Sequence, residues 1–97
     1  MNIRFLVPAS DELADAVNYY SAQVAGLGQL FGQEVGMALT RIGQYPDAWQ
    51  SSSPRTRRFL LKQFPYAVIY SVRHDEIVVV AVAHQHRRPG YWKARLS

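Results

Sequence analysis

Two stretches of this 97-residue chain carry side chains able to act on an anion: Arg55, Arg57, Arg58 and Lys62, and then His84, His86, Arg87, Arg88, Tyr91, Trp92, Lys93 and Arg95. Guanidinium groups offer planar, bidentate donors to phosphate or carboxylate. On an extended strand His84 and His86 share one face, an arrangement suited to acid/base work or metal ligation. Cleavage of RNA needs a base for the 2′-hydroxyl, an acid for the leaving oxygen and cations for the charged phosphorane. His84, His86, Arg87 and Arg88 can fill those roles. Tyr91 and Trp92, flanked by Lys93 and Arg95, can stack on a nucleobase; alternatively Pro89 and Gly90 turn the chain so that the aromatic pair pins the terminus to the core. For Arg57, Arg58 and Lys62 the competing reading is a charged edge strand that blocks unwanted pairing.

No metal site is expected. Two histidines leave a coordination sphere unfilled, the third, His74, stands in a separate turn, and the chain has no cysteine. No Gly-rich phosphate loop, nucleophile elbow or carboxylate pair appears, so no cofactor is expected either.

The length allows one domain over residues 1–97, and a hydrophobic content of 48% with 19% charged residues points to a globular fold. The apolar run from Ile3 to Val7 contains Arg4 and stops at Pro8. It is no signal peptide, and nothing approaches a membrane span, so a soluble cytoplasmic protein is expected. The net charge of +4 divides unevenly, with −3 before Pro54 and +7 after it. Such asymmetry asks for an anionic partner, nucleic acid or acidic protein.

The elements that position these groups follow from periodicity. Ile77 to Ala83 is a continuous apolar, β-branched run that predicts a strand covered on both faces and feeding the basic tail. Arg57 to Lys62 and Tyr66 to Val72 alternate as strands, with turns at Gln63 to Pro65 and Arg73 to Glu76, so the three form an antiparallel meander. Asn2 to Val7 predicts a first strand ended by Pro8. A helix then begins near Asp11 with Ser10 as N-cap and Asp11 and Glu12 complementing the dipole. Its stripe is Leu13, Val17, Tyr20 and Val24, and Gly26 and Gly28 mark its end. A second helix over Leu27 to Tyr45 carries Leu27, Phe31, Val35, Leu39 and Ile42, and Gly32, Gly36 and Gly43 are read as points of close approach between helices. Asp47 to Pro54 has loop composition. The sum is an α+β domain in two layers, an αα-hairpin packed on an antiparallel sheet.

Four segments together resemble the RelE/ParE superfamily of type II toxin–antitoxin toxins, often labelled plasmid stabilisation proteins: YYSAQVAGLGQLFGQEV, RIGQYP, RRFLLKQFPYAVIY and VVVAVAHQHRRPGYW. The resemblance covers nearly the whole chain. It implies a compact toxin neutralised in a hetero-oligomer by a partly disordered antitoxin, and an acidic antitoxin would answer the +7 half. RelE-like members cleave mRNA on the ribosome, whereas ParE-like members inhibit DNA gyrase. RelE-like nucleases carry a basic residue after the aromatic in the third strand, where this chain has Ala67 after Tyr66, and their lysine-rich segment is matched only by Lys62. The resemblance therefore favours a ParE-like, non-enzymatic inhibitor, with Arg57, Arg58, Lys62, Arg87, Arg88, Trp92, Lys93 and Arg95 as the target- or antitoxin-binding set. In the ribonuclease alternative the catalytic groups are His84, His86, Arg87, Arg88 and Tyr91.

Overall fold

A computed structural model describes residues 1–96. Strand β1 (Asn2–Phe5) is followed by helices α1 (Val7–Gln23) and α2 (Leu27–Gln44), then by strands β2 (Gln50–Ser53), β3 (Thr56–Leu60), β4 (Tyr66–Arg73) and β5 (Glu76–His84), with a 3₁₀ turn over Lys93–Leu96. The strands form one sheet in the order β1-β5-β4-β3-β2. The β3–β4–β5 meander is antiparallel, as its turns predict. β1 lies parallel to β5, which makes the sheet mixed.

The long apolar run is buried on both faces, and a bulge explains how. Ile69 faces Ala81 but Tyr70 faces Val79, so Val80 is an extra residue that breaks the strict alternation of β5. Ile77, Val79 and Val82 consequently face the helices with Val68 and Tyr70, while Val80, Ala81 and Ala83 face the opposite side. The helix side holds the larger core, centred on Phe31, Val35, Ile42 and Tyr70. Phe31, Phe64, Tyr20 and Tyr66 pack there edge to face, with ring centroids 4.8–6.2 Å apart. The Tyr70 hydroxyl donates to the Pro46 carbonyl at 2.5 Å, and burial pushes its pKa up to about 12.

Three expectations about the helices need correction. α1 starts at Val7, not Asp11, because Pro8 belongs to its first turn, where a missing N–H costs nothing. Ser10 is therefore no N-cap, and Glu12 stands beyond the first turn, free to point elsewhere. Val24 lies just past the end of α1 and is exposed. The close approach between helices is at Gly28, inside α2, where a methyl group would stand 1.9 Å from Ser21 Oγ and 2.4 Å from the Val17 carbonyl oxygen. A methyl at Gly32, Gly36 or Gly43 would meet open space. Gly26, at φ +84°, makes the left-handed turn between the helices.

The other correction is β2. A run of serines has little strand propensity, but Gln50 and Ser51 pair with Arg58 and Arg57, and hydroxyl contacts bind the hairpin. Thr56 Oγ1 lies 2.8 Å from Ser52 Oγ and 2.6 Å from Ser53 Oγ, and Arg58 donates to Gln50 Oε1 at 3.1 Å. At the next turn the Glu34 carboxylate of α2 accepts the backbone N–H groups of Lys62 and Gln63, fixing the exit of β3 against the helices.

Candidate functional site

β1 covers β5 only from Glu76 to Val79, with one further bond from the Leu6 N–H to the Val79 carbonyl at 3.0 Å. From Val80 onward that edge of β5 has no strand partner among the described residues, and an unpaired edge must find other donors and acceptors. Two side chains supply them. Glu12 Oε1 accepts the Val82 N–H at 3.1 Å, and Arg95 Nη1 donates to the Val80 carbonyl at 3.0 Å. The two also grip one another: Arg95 Nη1 and Nη2 reach Glu12 Oε1 and Oε2 at 2.8 and 3.0 Å, and the Tyr91 hydroxyl donates to Glu12 Oε2 at 2.6 Å. Helix α1, strand β5 and the C-terminal segment are thus tied through one carboxylate.

The electrostatics follow from that arrangement. Burial pushes the Glu12 carboxyl upward, but hydrogen bonds from Arg95, Tyr91 and the Val82 N–H outweigh it and hold the group below its ordinary value. Burial and the hydrogen bond to Glu12 raise the Tyr91 phenol far above its usual range. The Glu12 hydrogen bond likewise raises Arg95.

Gly90, at φ +76°, reverses the chain after Pro89, so that Trp92 and Leu96 fold back over Val80 and Ala81 on the sheet face opposite the helices. Trp92 is 5% exposed. This is the pinned terminus foreseen as the competing reading of Tyr91 and Trp92. Arg87 lies over the Tyr91 ring with its guanidinium carbon 3.9 Å from the centroid. The His84 ring stands between Tyr66 and His86, 4.9 Å from each centroid, and its Nδ1 accepts the His86 N–H at 3.0 Å. Neutral His84 therefore keeps its proton on Nε2. Among the described residues no three His, Cys, Asp or Glu side chains converge.

The fold separates some of the predicted residues and unites others. Arg57 donates to the Trp49 carbonyl at 2.8 Å and lines the hollow at the β2–β3 end, Lys62 lies against α2, and Lys93 is exposed on the 3₁₀ turn. Arg58, by contrast, shares a cleft with His84, Arg87 and Arg88, from which it is far removed in sequence. Glu12 was not legible as part of this region, because its only sequence signal was proximity to a helix start.

The family described as ParE toxin of type II toxin-antitoxin system, parDE, matches residues 3–89. The chain belongs to the ParE toxin family. Among solved structures this ParE-family protein resembles the chromosomal ParDE TA system from P. aeruginosa, with a TM-score of 0.73 and 17% identity over 87% of this chain and 95% of that one. At that identity the likeness is one of fold. No curated protein matches the chain. The family match takes in His84 to Arg88 and stops at Pro89, so the Tyr91–Trp92–Arg95 anchor lies beyond it. None of the described helices is long and apolar enough to cross a membrane.

Proposed function

We propose that this ParE-family toxin acts in the cytoplasm by binding DNA gyrase, and that an acidic antitoxin neutralises it by covering the basic face around Arg58, Arg87 and Arg88. The observation that carries binding over cleavage is the state of the groups a nuclease would use. The Tyr91 hydroxyl donates its hydrogen bond to Glu12 and is held far from ionisation, and His84 Nδ1 is occupied by the His86 N–H. A general base must be free to take a proton from its substrate. Ala67, where nucleases of the superfamily carry a cation, is buried with Trp92 on the same sheet face. Membership of the ParE family supports gyrase as the target, and the +7 half supports an acidic antitoxin that orders as it binds.

The test is pulse-labelling of a bacterial host just after the chain is induced without antitoxin. Thymidine incorporation is expected to fall first, with methionine incorporation following. An immediate fall in methionine incorporation, with thymidine unaffected, would overturn the reading in favour of mRNA cleavage.

A further inference from the structure

The β3–β4 ladder opens at one end, and its register shows which groups are left there. Hydrogen-bonded and non-bonded pairs alternate along an antiparallel ladder. The Leu61 N–H donates to the Tyr66 carbonyl at 2.9 Å, which puts Phe59 with Val68 and Arg57 with Tyr70 among the bonded pairs. The next bonded pair would join Arg55 to Val72, but β3 begins only at Thr56, and Arg55 lies in the turn from β2. N–H groups alternate in direction along a strand, so the Val72 N–H shares the β3 side with that of Tyr70. It points into the gap, a backbone donor without a strand partner among the described residues.

A hollow of about 330 Å³ occupies that gap, lined by Arg55, Arg57 and Arg73. Because the ladder is open there, side chains from both faces of the sheet reach it. Arg57, opposite Tyr70, comes from the helix face, and its bond to the Trp49 carbonyl at 2.8 Å fixes the guanidinium while using one of five N–H donors. Ser71, opposite Val78, comes from the other face. It is 5% exposed, and its hydroxyl makes no side-chain hydrogen bond among the described residues. None of the three arginines forms an ion pair among those residues, and Asp47 is the one carboxylate in the lining. Donors converge here almost without acceptors, which suits an oxyanion. The space and the number of donors exceed what the two oxygens of a carboxylate can use, and match a chain of two or three phosphoryl groups. A nucleoside finds no stacking face, since the one ring in the lining, Tyr70, is fully buried and its hydroxyl is committed to the Pro46 carbonyl.

We propose that the hollow at the open end of the β3–β4 ladder binds a short inorganic polyphosphate, held by Arg55, Arg57 and Arg73 together with the Ser71 hydroxyl and the Val72 N–H. The site is separate from the cleft of Arg58, Arg87 and Arg88, and it stands whether or not gyrase is the target.

The test is isothermal titration calorimetry with inorganic triphosphate at low ionic strength. One site per chain with a dissociation constant of roughly 10–100 μM is expected, from several charge-assisted bonds in a partly solvated hollow. Arg55 and Arg73 are exposed, so their alanine variants should fold, and each should weaken binding roughly three- to fivefold. Ser71→Ala leaves the net charge unchanged and should still weaken binding about threefold, as loss of one neutral hydrogen bond implies. Asp47→Asn should tighten it about two- to fourfold. In a nitrogen–proton correlation spectrum the Val72 amide should shift at saturating triphosphate while that of Gly90 stays in place. The control is Arg58→Ala with Arg88→Ala, which removes two cations outside the hollow and should leave affinity nearly unchanged. Equal loss in that control, or a Ser71→Ala protein that binds as wild type while the Val72 amide does not move, would show diffuse charge attraction and overturn the site. ATP should bind no more tightly than triphosphate; binding about tenfold tighter would overturn the inorganic ligand in favour of a nucleotide.

Discussion

Glu12→Gln is expected to lower the stability of the protein by about 3 kcal/mol at neutral pH, the range for removing one partner of a buried, hydrogen-bonded ion pair. For a chain of this length the melting temperature would fall by roughly 15 °C. The side chains of Glu12 and Arg95 are only 16% and 19% exposed, so water replaces the lost partner poorly. The glutamine keeps one acceptor but not the bidentate grip of Arg95 together with the Tyr91 and Val82 bonds. The effect should also depend on pH in a defined direction. Because the folded protein holds the Glu12 carboxyl below its ordinary value of 4.5, its contribution is fully present above that value and is lost as pH falls through the lower, folded one. Urea unfolding of both proteins should therefore show a constant difference from pH 7 to about pH 5, narrowing below about pH 4. A difference that stayed constant into acid would assign the loss to packing.

The second large effect is expected at Trp92, which the sequence places in the target- or antitoxin-binding set. Trp92→Ala should cost about 3–4 kcal/mol, as other buried tryptophans do. Its ring packs with Val80 and Ala81, and without it the C-terminal segment loses the largest side chain it buries on that face. Since Glu12 and Trp92 hold the same segment from opposite sides, their losses should not add. The double variant should fall short of the sum by about 1 kcal/mol or more in a double-mutant cycle followed by urea unfolding. Strict additivity would mean that the two anchors act on separate parts of the molecule.

Much of this architecture could be read from residue patterns. The meander follows from alternation in Arg57 to Lys62 and Tyr66 to Val72, and the two-sided burial of β5 from its unbroken apolar run. The helical hairpin follows from the stripe of Phe31, Val35 and Ile42. What escaped were features decided by partners distant in sequence. β2 is a strand because β3 offers it a ladder and hydroxyl partners, not because serines favour extended backbone. Gly28, not Gly32 or Gly36, is where α1 approaches, since only the crossing point decides which glycine lacks room. Glu12 looked like a dipole-complementing carboxylate, yet Pro8 shifts the helix start, and the bare edge of β5 claims the side chain. The basic residues were visible one by one, but their division was not. Register alone places Arg58 in the cleft with Arg88 and turns Arg57 away.

The most direct test of a toxin that binds rather than cuts is supercoiling of relaxed plasmid by purified gyrase in the presence of the purified chain. The wild-type protein and the His84→Ala/His86→Ala variant are both expected to inhibit, at the same concentrations, while ribosome-bound mRNA stays intact with either. A wild-type protein that leaves gyrase untouched but cuts ribosome-bound mRNA, with cutting lost in the double variant, would contradict the account.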